Sequence, residues 1–132
     1  MRVFLIYCQL SFMILLMGCS VFLSDREDKI ELISPKEAST MYTGKEAVIV
    51  DVRENSEWNA QHIPGAIHIP LAQLNERLSE LKQYKDSLVI TQCRSGIRSE
   101  QALEVLKSAG FSKVYSMNGG IMAWDKAGLV TE

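Results

Sequence analysis

The sequence predicts an α/β fold built on a parallel-rich sheet. Three observations predict it. Short continuous apolar runs recur, as at residues 47–50 and 87–91, and runs of that length read as strands covered on both faces. Segments with apolar residues three and four apart lie between them, which is a helical period. Strand and helix signals alternate along the chain, and alternation favours parallel strands joined by helical crossovers.

Residues 29–33 alternate polar and apolar, as an edge strand does. Ser34 then supplies an N-cap, Pro35 the first helical position and Glu37 acid in the first turn. That helix stops near Gly44. Residues 47–50 form a buried strand, and a short helix is predicted over 56–61. Ile63-Pro64-Gly65-Ala66 makes a turn into a short strand at 67–69. Leu71, Leu74, Leu78 and Leu81 predict one apolar stripe on a single helix. Residues 87–91 form a second buried strand, 93–97 a loop and 98–109 a helix closed by Gly110. A last strand covers 113–115, and Asn118-Gly119-Gly120 turns into a final segment with Ile121 and Trp124. Trp58 and Trp124 read as core residues.

The first residues are of a different kind. Arg2 precedes a nearly unbroken apolar run over residues 3–23, and small residues close it. That is the pattern of a secretory signal. Leu16-Met17-Gly18-Cys19 resembles the lipobox of bacterial lipoproteins. The resemblance implies a signal peptide over 1–18, a lipidated Cys19, a tether over 19–28 and a domain over 29–130. The same run also suffices for an uncleaved anchor helix, which needs roughly 20 residues. Either reading tethers the domain to a membrane in the cell envelope of a bacterium. It would face the periplasm or the exterior, with the outer membrane one possible site.

The chain has 132 residues and a formal net charge of −2. The length suits one domain, a monomer by default, and the charge argues against nucleic-acid binding by bulk attraction. There are three cysteines. Cys8 would leave with the signal and Cys19 would carry lipid. Cys93 is then the one free thiol of an exported domain, either inert in the core or reactive.

The surroundings of Cys93 favour reactivity. Thr91-Gln92-Cys93-Arg94-Ser95-Gly96-Ile97-Arg98-Ser99 runs from a buried strand through a compact loop into a helix. The first amides of a helix lack internal partners and, with the helix dipole, form an anion site. A thiolate in that cradle is stabilised, so its pKa falls below the free value of about 8.5. Arg94 and Arg98 add positive charge, and Gly96 lets the backbone turn its amides inward. Acyl chemistry would call for a histidine beside the thiol. His62 and His68 are the only histidines and read as packed or turn-associated.

The segment Cys93-Arg94-Ser95-Gly96-Ile97-Arg98-Ser99 resembles the active-site loop of single-domain rhodaneses, a sulfurtransferase family. Asp51-Val52-Arg53-Glu54, the stretch from His62 to Pro70, and Asn118-Gly119-Gly120 through Trp124 resemble three further motifs of that family, in the same order. The resemblance implies a central, mostly parallel five-stranded sheet flanked by helices. It implies a catalytic Cys93 that takes sulfane sulfur from a small anion such as thiosulfate and passes it to cyanide or a thiol. Arg94, Ser95, Gly96, Ile97, Arg98 and Ser99 would hold the persulfide through their amides, and Asp51 and Arg53 would support the site. No metal or organic cofactor is implied. Gln61 stands where many relatives carry glycine, so a local backbone difference is expected there. The loop from Cys93 to Arg98 is one residue shorter than in the related phosphatases, which favours sulfur over phosphate. The alternative within sulfur chemistry is a carrier or a persulfide-sensing module that turns over poorly.

Overall fold

The computed structural model describes residues 31–132. The apolar N-terminal run, Cys8, Cys19 and the tether lie outside the described residues, as do Lys29 and Ile30 of the expected edge strand.

Five strands form one sheet: β1 (Leu32–Ile33), β2 (Ala47–Asp51), β3 (Ile67–His68), β4 (Leu88–Gln92) and β5 (Lys113–Met117). Their spatial order is β1-β5-β4-β2-β3, and every pairing is parallel. Helices α1 (Pro35–Thr43), α2 (Asn55–Ala60), α3 (Ile97–Ser108) and α4 (Gly120–Lys126) complete the frame. The expected α/β class and five-stranded sheet are both present. Ser34 and Glu37 form a reciprocal capping box on α1, and Gly44 closes it.

Side chains alternate between the two faces of each strand. Val50 and Val89 pack with Leu103, Leu106 and Phe111 on one face. Ile49 and Ile90 pack with Ala38, Met117 and Trp124 on the other. Both faces are therefore covered, which is why the central strands read as continuous apolar runs rather than alternating ones.

Two expectations need correction. The leucine stripe does not lie on one α-helix. It falls on two 3-10 segments, Leu71–Gln73 and Leu78–Tyr84. Leu71 to Leu74 and Leu78 to Leu81 are each three apart, and three residues make one 3-10 turn, so the same leucines reach the core without a continuous helix. Leu74 and Leu81 are fully buried, as the inward-facing stripe predicts. Trp58 is not a core residue either. It sits half-buried on the short surface helix α2, stacked on both His62 (ring centroids 3.8 Å apart) and His68 (4.6 Å). Trp124 is buried, and its indole N–H donates to Val130 O at 2.9 Å.

The register aligns the carboxyl ends of the inner strands. Asp51 pairs with Gln92 on one side and with His68 on the other, and Thr91 pairs with Ser116. The residues just past these ends therefore converge on one edge of the sheet, where open parallel sheets place their sites.

Leu106 is fully buried between α3 and the sheet. Leu106→Ala is expected to cost about 2–5 kcal/mol in urea unfolding with little change in slope. A loss under about 1 kcal/mol would mean the α3 face is not packed as described.

Candidate active site

Cys93 directly follows β4, and the chain turns at once into α3. Gly96, at φ 121°, makes the turn in a region that L side chains rarely adopt. The turn brings its own N–H onto Cys93 Sγ at 3.1 Å. The thiol lies 3.6 Å from Ser99 Oγ on the first turn of α3. Ser99 is itself anchored: its hydroxyl donates to Gly96 O at 2.8 Å and lies 2.7 Å from Ser116 Oγ on β5. Thr91 Oγ1 donates to Ser99 O at 2.7 Å.

These contacts decide the ionisation of the thiol. Cys93 is 1% exposed, and that burial pushes its pKa up. The Ser99 hydroxyl and the amides of Ser99, Gly96 and Ser95 outweigh it and hold the thiol below its ordinary value. Cys93 is thus buried, as a structural thiol would be, yet poised toward its anion.

The carbonyls of the same loop point elsewhere. Ile121 N donates to Cys93 O at 2.8 Å and Met122 N to Arg94 O at 3.2 Å, both from the first turn of α4. A Cβ at Gly120 would overlap the carbonyls of Cys93 and Arg94, so only glycine lets α4 approach this closely. In the sequence Gly120 stands out only as part of a motif; its contact with the loop explains why the motif needs it.

The three arginines near the thiol have different environments. Arg53 is buried and forks onto Asp51, with Nε at 3.0 Å from both carboxylate oxygens and Nη2 at 2.7 Å from Oδ2. Asp51 Oδ2 also accepts from Gln92 Nε2 at 2.9 Å, and Arg53 donates to Glu57 O and Gln61 O. Asp51 and Arg53 thus brace the strand ends beneath the loop without touching the thiol. Arg98 is held by Glu57 through two bonds of 2.7 and 2.8 Å. Arg94 is exposed and, among the described residues, pairs with no carboxylate. Ser95 and Ile97 are exposed at the loop tip.

His62 and His68 accept or donate elsewhere. His62 bonds Trp58 O and Glu132, and His68 bonds Arg53 O. Neither contacts Cys93. Gln61 has extended backbone (φ −169°) that any residue adopts, and its amide reaches Asp125 and Thr131. Glu57 and Ser116 were missed in the sequence as parts of the site. Glu57 lies 41 residues from Arg98, and no local pattern ties the two together. A cleft of about 480 Å³ opens beside the loop, lined among others by Arg53, Glu57, Gln61, Arg94, Met122 and Asp125. Among the described residues no group of three His, Cys, Asp or Glu side chains could hold a metal ion.

Residues 34–127 match the family model described as the rhodanese-like domain. The chain is 35% identical over 111 residues to the probable adenylyltransferase/sulfurtransferase MoeZ of Mycobacterium tuberculosis, covering 82% of this chain and 28% of that protein. It is 42% identical over 76 residues to the putative sulfur carrier protein YrkF of Bacillus subtilis, covering 58% and 40%. It thus spans less than half the length of either relative. A crystal structure of thiosulfate sulfurtransferase from Pseudomonas aeruginosa superposes with a TM-score of 0.72 at 30% identity, covering 80% of this chain and 21% of that one.

Alkylation of Cys93 by iodoacetamide, followed against pH, is expected to show a midpoint below the free-thiol value of about 8.5. Ser99→Ala removes a hydroxyl that favours the anion and moves the midpoint up. Gly120→Ala does the same by forcing α4 off the loop. A wild-type midpoint at or above the free value would contradict the balance described.

Proposed function

The chain belongs to the rhodanese-like domain family, and on that premise we propose that it is a sulfurtransferase that carries sulfur as a persulfide on Cys93. The observation that carries the reading is a buried thiol facing an amide, a hydroxyl and a helix N-terminus, with no histidine base against it. Such a site shifts the thiol toward its anion and offers no group to deprotonate an acyl-transfer nucleophile.

In the first half-reaction the Cys93 thiolate attacks the outer sulfur of a donor such as thiosulfate. The sulfur–sulfur bond of the donor breaks, and sulfite leaves with the electron pair. The new terminal sulfur on Cys93 is anionic, and the amides of Ser95, Gly96 and Ser99 that favour the thiolate, with the other loop amides from Arg94 to Arg98, are placed to stabilise it. In the second half-reaction cyanide or a thiolate attacks that terminal sulfur, and Cys93 leaves as the thiolate. Asp51 and Arg53 keep the strand ends in place and take no part in bond making. Thiosulfate as donor draws support from the structural neighbour named a thiosulfate sulfurtransferase. The short loop from Cys93 to Arg98 supports sulfur over phosphate as the group attacked.

The sequence pattern supports a lipid tether at Cys19 that holds the domain in the bacterial envelope, outside the cytoplasm. A carrier role is the second reading. It is favoured by the relative named a putative sulfur carrier protein, and it differs only in slow release to small acceptors.

The test is thiocyanate release from thiosulfate and cyanide. Wild type is expected to turn over and Cys93→Ser to fall to background, a loss of at least about a thousandfold, as for removal of a nucleophile. Equal rates for the two proteins would overturn the proposal.

A further inference from the structure

The charges around the mouth of the site say what kind of donor fits it. Arg53 and Arg94 line the cleft beside the loop, and a third arginine, Arg98, bonds Glu57 on its wall. Arg53 is neutralised by Asp51, and Arg98 is gripped at both terminal nitrogens by Glu57. Asp125 lines the same cleft, and Glu54 is close enough for its charge to act on Arg98. The arginines are therefore matched or outnumbered by carboxylates, and only Arg94 is unpaired among the described residues. An exposed apolar side chain, Met122, also lines the cleft. This is not a mouth that concentrates a dianion, which would call for an excess of one sign of charge.

We infer that Glu57 is a positioning residue that sets donor specificity: by pairing with Arg98 it disfavours doubly charged donors such as thiosulfate relative to singly charged ones, such as a persulfide or a thiosulfonate. The inference rests on the sulfur-transfer reading and refines its substrate class. Glu57 touches neither Cys93 nor the reacting sulfur. It acts through Arg98, which sits on the first turn of α3 beside Ser99, the residue whose hydroxyl lies 3.6 Å from Cys93 Sγ. Arg98 holds the Glu57 carboxyl down to about 2, so the pair persists across the whole neutral range. Either donor leaves the same product on the enzyme. Thiosulfate transfers its outer sulfur and releases sulfite; a thiosulfonate transfers its outer sulfur and releases a sulfinate. Donor charge is the variable that Glu57 reads.

Glu57→Gln tests this, because glutamine keeps the capping bond to Glu54 N that Glu57 makes at the start of α2. The readouts are KM and kcat for thiosulfate and for methanethiosulfonate anion, with iodoacetamide as a neutral probe of the thiol at a pH above its midpoint. Coulomb energy scales with donor charge, so the variant should lower KM about threefold for the monoanion and about tenfold for the dianion, with kcat nearly fixed. Iodoacetamide should react at the wild-type rate. The wild type supplies a check that needs no variant: its KM for thiosulfate should rise little with added salt, whereas that of Glu57→Gln should rise steeply. Equal gains for all three reagents, no gain for thiosulfate, or a steep salt dependence in the wild type would overturn the inference. If neither donor adds sulfur to Cys93 while iodoacetamide still reacts, the sulfur-transfer reading itself fails.

Discussion

A sulfur anion kept out of water must find its hydrogen-bond donors in the protein, and the carbonyls of the loop around it must be turned away. That constraint organises the molecule. Cys93 is buried, so water cannot do the work. Gly96 turns its amide toward the sulfur, and α3 begins one residue later with its first N–H groups unpaired. The loop carbonyls go instead to α4, through Ile121 and Met122. A glycine at position 120 allows that approach. The parallel register of β2, β4 and β5 fixes where this loop starts, and the two packed faces of the sheet fix the register.

Positive charge near the thiol is handled with restraint. The Asp51–Arg53 pair is fully desolvated and also accepts from Gln92, so removing one partner would strand the other. Its place beneath the loop makes it a brace for the strand ends. Arg98 is committed to Glu57. Stabilisation of the sulfur anion is thus left to the Ser99 hydroxyl and the loop amides, which on the proposed sulfur-transfer reading would serve thiolate and persulfide alike.

Much of this was legible in the sequence. The strands at 47–50 and 87–91 were evident because burial on both faces leaves an unbroken apolar run. Ser34, Pro35 and Glu37 announced α1 through capping chemistry that is local by nature. The Cys93 loop was legible because strand, glycine turn and helix start are consecutive in the chain. The rest depended on distance. Glu57 and Arg98 meet across 41 residues, and Ser99 meets Ser116 across 17; neither pair leaves a periodic trace. The leucines at 71–81 fit an α-helix and two 3-10 turns equally well by spacing, and packing decided between them. Trp58 read as core because its size suggests burial, but α2 is too short and too superficial to bury it.

The most direct test of the central claim is the mass of the Cys93 peptide after the protein meets a sulfane-sulfur donor and excess donor is removed. The account predicts a gain of one sulfur atom, confined to Cys93 and lost on adding cyanide. An unchanged mass, with the thiol still open to iodoacetamide, would contradict it.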